Sequence, residues 1–155
     1  MGCGCRGREL ARALSAEGHA VRGTTRDPVA ATEIEAAGAE AAVADPRRLA
    51  TLLPQIEGVS AICWLMGAAR GEPADVEALH GPRLHSLLEH LIDTPVRGFV
   101  YEAAGSVSVE LLAGGAEIAR EAAQTYRMRV EVVASDPSDA AGWTDAMTAA
   151  LRRVL

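Results

Sequence analysis

Six residues at the start of the chain, Gly2-Cys3-Gly4-Cys5-Arg6-Gly7, make a complete G-x-G-x-x-G with only Met1 before them. In a strand-to-helix turn, the first glycine permits the tight bend and the second lets a ligand approach the main chain. The third lets the helix pack closely on the sheet. The residues that follow suit such a turn. Arg8 to Glu17 is helical in composition, with Leu10, Ala13 and Leu14 on one face. Gly18 is placed to stop that helix, and His19 to Thr25 reads as a short strand rich in Val and Thr. The free N–H groups at the start of such a helix face phosphates well. A glycine-rich tail is the competing reading.

A turn of this kind normally follows a strand, and none precedes Gly2. A Val/Ile-rich run of roughly five to eight residues is therefore expected upstream, a length set by usual strand sizes. Without it, the strands near Val21 and Ile62 should stand about 9–10 Å apart, twice the usual spacing, or should pair with each other. The chain would then be poorly stable, because buried strand edges without partners are costly.

Strands and helices alternate through the rest of the chain. Pro28 to Ala37 suits a helix ended by Gly38. Ala41 to Ala44 is a short strand running into Asp45-Pro46, and Arg47 to Leu53 a brief helix. Val59 to Leu65 reads as a strand buried on both faces. Met66 to Ala78 reads mostly as loop. Leu84, Leu87, Leu88, Leu91 and Ile92 have helical spacing, and Val96 to Ala103 is another strand. A helix from Val109 to Tyr126 is weakened by Gly114-Gly115, Arg129 to Val133 is the last strand, and Trp143, Ala146, Met147, Ala150, Leu151 and Val154 form one stripe on a closing helix. The expected fold is α/β: a Rossmann-like, doubly wound parallel sheet of about five strands, lacking its N-terminal central strand, in one domain over 1–155.

Composition removes several functions. The formal net charge is −6 and no basic stretch exists, which argues against a nucleic-acid surface. No apolar run is long enough to span a membrane and the N-terminus lacks a secretory pattern, so a cytoplasmic protein is expected. Cys3, Cys5 and Cys63 have no metal-ligand spacing. His80, His85 and His90 are five apart, about 140° per step on a helix, and share no face. No metal site is expected from them.

With this layout the chain resembles the short-chain dehydrogenase/reductase superfamily, in its atypical and extended branches with NmrA-like and epimerase-like NAD(P)-binding proteins. The resemblance is strongest over residues 2 to 28, at Asp45 and over Gly58 to Gly67. It implies a dinucleotide held by Gly2, Gly4, Cys5, Arg6 and Gly7. In the family, an acid at the end of the second strand selects NAD. That position is Thr25 here, followed by Arg26, which favours the 2′-phosphate of NADP. Asp27 keeps NAD open. Asp45 matches the family aspartate beside the adenine ring, or serves as a helix cap before Pro46. Leu65, Met66 and Gly67 match the turn beside the adenosine ribose and pyrophosphate.

The family's catalytic residues do not carry over. A Tyr-x-x-x-Lys pair is impossible, because all fifteen basic residues are arginine. The family serine falls on Ala103-Ala104, with Ser106 two residues late. Tyr126 has Val130 four residues on and reads as a packing residue. Glu102, near a strand's C-terminal end, is an acid/base candidate, although a solvated loop carboxylate is slightly favoured. Cys5 at a helix N-terminus could form a thiolate, but a small loop-filling residue is favoured. Three functions stay open: an NADP-favouring binding or sensing module without standard catalysis; an oxidoreductase or epimerase using Glu102 or Ser106; and a shortened interaction module without cofactor. A homodimer is compatible with each.

Overall fold

The computed structural model describes residues 1–155 as five strands and seven α-helices that alternate along the chain. Helix α1 spans Cys5–Ala16, strand β1 Arg22–Thr25, α2 Ala31–Glu35, β2 Glu40–Val43, α3 Leu49–Leu52 and β3 Ala61–Trp64. Then come α4 Pro73–His80, α5 Pro82–Leu91, β4 Gly98–Glu102, α6 Val109–Tyr126, β5 Arg129–Val133 and α7 Ala140–Val154. Every strand pairing is parallel. No helix is long and apolar enough to cross a membrane.

Local signals set most boundaries. Helix α1 ends where Gly18 takes φ +88°, with the His19 N–H donating to Leu14 O and the Gly18 N–H to Ser15 O. That bonding satisfies the last carbonyls of the helix, as a left-handed glycine stop does. Helices α6 and α7 begin at Ser108 and Asp139, whose side chains accept from the Leu111 and Gly142 N–H groups. The segment read as loop from Met66 to Ala78 is in part helical. Pro73 begins α4 at a position where a missing N–H costs nothing, and Leu79 and His80 at its end are buried.

The expected single sheet is instead two. β1 pairs with β2, and β3, β4 and β5 form a second sheet in that order. β1 and β3 do not pair with each other, so the gap is not closed as one expectation had it. Only the first residues of the chain reach both edges. The Leu65 N–H donates to Met1 O at 3.0 Å, and the Cys3 N–H donates to Thr24 O at 2.9 Å. Leu10 and Leu14 of α1 share a buried cluster with Trp143, Met147 and Leu151 of α7.

Two apolar layers enclose the three-stranded sheet. On one face Phe99 and Tyr101 of β4 meet Leu84, Leu87 and Leu88 of α5 and Ala116 and Ala119 of α6. On the other, Val100 and Val133 meet α7 through Trp143, Met147, Ala150 and Leu151, all buried, as the stripe on the closing helix requires. Helix α6 runs unbroken through Gly114-Gly115, and the two glycines differ. A Cβ on Gly114 would meet nothing within 4 Å, whereas one on Gly115 would collide with the Tyr101 hydroxyl. Gly114→Ala is therefore expected to stabilise by up to about 1 kcal/mol through helix propensity. Gly115→Ala is expected to destabilise by about 1–3 kcal/mol through overpacking. Urea midpoints of the two variants check this, and equal shifts of one sign would refute it.

Candidate functional site

A cleft of about 640 Å³ opens where the start of α1 faces the ends of β1, β3 and β4. The glycine motif builds its floor. Gly2 sits at φ +82°, and a Cβ there would press on Leu65 O at 2.6 Å, so no other residue fits the turn. A Cβ on Gly7 would come 3.0 Å from Gly2 O, so this glycine lets α1 lie close on the turn. A Cβ on Gly4 would meet nothing within 4 Å, which leaves the main chain there open to the cleft. Gly4 has no side chain with which to cap α1, and the first helical bond is Arg8 N–H to Gly4 O. The N–H groups of Cys5, Arg6 and Gly7 thus precede the helical ladder, at the positive end of the helix dipole.

Most of the residues singled out in the sequence line this cleft together: Gly2, Gly4, Cys5, Arg6 and Gly7, then Thr25, Arg26, Asp45, Leu65, Met66 and Glu102. Gly67 lies just behind it, held by its N–H to Glu102 Oε2 at 2.8 Å and by its carbonyl to the Val107 N–H at 3.0 Å. Ser106 is exposed and outside the lining. Tyr126 is half-buried against the main core. His85 pairs with Glu89 on α5, away from His80.

At the rim, Thr25 and Asp27 are used locally. The Asp27 N–H donates to Thr25 Oγ1, and Asp27 Oδ1 accepts from the Val29 N–H to cap the turn Pro28–Ala30. Arg26 is exposed at the rim with no carboxylate partner. Asp45 does not stand free. Its carboxylate accepts from the Arg47 main chain and guanidinium, and Arg47 also reaches Asp75 at 3.1 Å. Burial pushes the Asp45 carboxyl up, but the bonds and charge of Arg47 outweigh it and hold the group below its ordinary value. Arg47 and Arg70 line the cleft as well. Sequence reasoning missed both, although an arginine two residues after an aspartate is a readable turn pair.

Glu102 is not a solvated loop carboxylate. It closes β4 and is 1% exposed, with Oε1 accepting from Arg6 at 3.1 Å and Oε2 from the Gly67 N–H. Arg6 in turn lies over the Trp143 ring, 5.5 Å from its centroid. Trp143 Nε1 is buried without a hydrogen-bond partner, yet near enough to the Glu102 carboxyl to favour its charged form. Burial dominates and raises the Glu102 carboxyl above its ordinary value of 4.5, against the pull of Gly67 and Arg6.

The folded protein keeps this proton at pH values where the unfolded chain has lost it. The group's contribution is fully present below pH 4.5 and is lost as pH rises through the folded value. Asp45, held low, acts in the opposite direction. The difference between wild type and Glu102→Gln isolates Glu102. Urea midpoints should fall with rising pH above 4.5 more in wild type than in the variant, and parallel profiles would show that Glu102 is not the group.

Behind the cleft lies a buried pair that the sequence did not announce. His80 Nδ1 is 2.6 Å from the Tyr101 hydroxyl, and Nε2 is 3.2 Å from Met66 O. Burial lowers the His80 value against the pull of the Met66 carbonyl, which favours the neutral ring. A single N–H on Nε2 donating to Met66, with Nδ1 accepting from Tyr101, satisfies both partners. The pair fixes the turn after β3 against α4 and β4.

No protein-family model matches the chain, and no curated protein matches it.

Proposed function

We propose that the chain is a Rossmann-like NAD(P)-binding protein that favours NADP(H) and lacks the Tyr/Lys pair of carbonyl reductases. The observation that carries this reading is the uncapped N-terminus of α1 at the floor of a cleft whose rim offers Arg26 and no free carboxylate at Thr25. The N–H groups of Cys5, Arg6 and Gly7 would take the pyrophosphate oxygens, with Gly4 giving them room to approach. Arg26 would pair with the 2′-phosphate, and Leu65 and Met66 would bound the adenosine side. A bound dinucleotide supplies a hydride-carrying ring. The chain's own residues supply binding and orientation. Both Glu102 oxygens are already engaged by Arg6 and Gly67, so this carboxyl positions the floor instead of meeting a substrate.

Titration of the purified protein with NADPH, NADP⁺, NADH and NAD⁺ by calorimetry tests the reading. NADP(H) should bind more tightly than NAD(H), and failure to bind any of the four ends the proposal. Arg26→Ala should cost about 1–3 kcal/mol of NADP(H) binding, about 5- to 150-fold, and leave NAD(H) nearly unchanged. Equal affinity of the wild type for both cofactors would remove the role given to Arg26.

A further inference from the structure

One peptide, Met66–Gly67, is held at both ends by buried side chains. Its carbonyl lies 3.2 Å from His80 Nε2, at the end of α4. Its N–H donates at 2.8 Å to Glu102 Oε2, at the end of β4. Beyond His80, Nδ1 lies 2.6 Å from the Tyr101 hydroxyl, with the two rings edge to face. Beyond Glu102, Oε1 accepts from Arg6 at 3.1 Å. One chain of hydrogen bonds thus crosses the molecule from Tyr101 to the first turn of α1. The Ala69 N–H, within the same turn, also donates to Met66 O, so His80 is the contact to this oxygen from outside the turn.

The bonds in such a chain are not independent. In a low-dielectric interior, a donor on an amide's oxygen makes that amide's N–H a stronger donor. The His80 N–H on Met66 O thus strengthens the Gly67 N–H, which favours the charged Glu102 carboxyl against the burial that opposes it. The charged carboxyl in turn holds Arg6, which has no other carboxylate partner. The remaining neighbours of Glu102 are the buried Met1 amino group, Tyr101 on its own strand and the uncharged Trp143 of α7. None of these is hydrogen-bonded to the Met66–Gly67 peptide.

We propose that His80 is a positioning residue of the cleft, which holds the Glu102 carboxyl, and with it Arg6, in place through the Met66–Gly67 peptide. His80 itself does not line the cleft and acts through two other groups. The turn it holds is also the one on which Gly2 rests, since a Cβ at Gly2 would press on Leu65 O. Released from Glu102, Arg6 would keep only the Trp143 ring beneath it, and the first turn of α1 would lose its tie to β4. Two amide substitutions separate the imidazole's two nitrogens. His80→Gln places an N–H where Nε2 stands and retains the bond to Met66 O. His80→Asn reaches only the position of Nδ1, beside the Tyr101 hydroxyl.

Carbon-13 NMR of the glutamate carboxyls tests this, with Glu102 identified as the signal missing from Glu102→Gln. The Glu102 midpoint should rise by about half a pH unit in His80→Asn and stay within about 0.2 of a pH unit of wild type in His80→Gln. A merely structural role would move both variants alike or neither. His80→Asn should also bind NADPH about 2- to 10-fold more weakly, the weight of one hydrogen bond, with His80→Gln near wild type. This binding arm rests on the cofactor reading. A wild type that binds no NADPH ends that reading, while the carboxyl titration still decides the role of His80. If His80→Asn does not fold, Tyr101→Phe joins His80→Gln in the test. Both keep the N–H on Met66 O, and a displaced Glu102 midpoint in either refutes the proposal. Equal midpoints in the two amide variants would overturn it, and so would undiminished NADPH affinity in His80→Asn once its carboxyl has shifted.

Discussion

Replacing Trp143 by alanine should lower the unfolding free energy by about 3–5 kcal/mol, the cost of emptying a large aromatic site in a packed core. Trp143 is 1% exposed and lies where α1, α7 and β4 converge, against Leu10, Leu14, Val100 and Met147. A loss of that size is a large part of the roughly 5–15 kcal/mol that holds a domain together. Trp143→Phe separates packing from polarity. The indole N–H has no hydrogen-bond partner, so phenylalanine should retain most of the stability. Urea unfolding of the two variants checks the pair, and a loss under about 1 kcal/mol for alanine would show that the site collapses around the gap. The alanine variant should also loosen Arg6, which loses the ring beneath it and keeps only Glu102.

Gly2→Ala is the second large effect, and it couples fold to function. The residue sits at φ +82°, a conformation that costs a side chain about 1–3 kcal/mol. Its Cβ would also press on the Leu65 carbonyl, main chain that cannot swing aside, for about 1–3 kcal/mol more. A total of about 2–6 kcal/mol is expected. The turn carries the Cys5, Arg6 and Gly7 N–H groups, so NADPH affinity should fall at least about tenfold even where the variant stays folded. Gly4→Ala is the matched control, because a Cβ there meets nothing within 4 Å. It should leave stability nearly unchanged and reduce binding alone. If Gly2→Ala and Gly4→Ala melt alike, the turn at Gly2 is not the constraint described.

What could be read before the fold was known followed the range of each interaction. Helix α6 and strand β5 occupy the residues expected of them, Val109–Tyr126 and Arg129–Val133, because period, cap and stop all lie within a few residues. The stop at Gly18 was legible for the same reason. The stripe on α7 announced a buried face. Helix α4 was not legible, since Gly67, Gly71 and Pro73 read as loop and its apolar content is slight. Its order comes from distant groups, the Trp64 N–H on Leu79 O and the Tyr101 hydroxyl on His80.

By itself, the sequence determined the alternation of strands and helices, the glycine turn, and the absence of lysine that rules out a Tyr/Lys pair. Only the tertiary structure decided that β1 and β3 stay apart with a slot between them, and that Glu102 is buried under Arg6. It also brought Arg47, Arg70 and Trp143 to the same cleft as the glycine motif. The first set depends on bonds and periods spanning a few residues, which the order of residues writes directly. The second depends on contacts such as Arg6 to Glu102, 96 residues apart, which exist only after helices and sheets have packed.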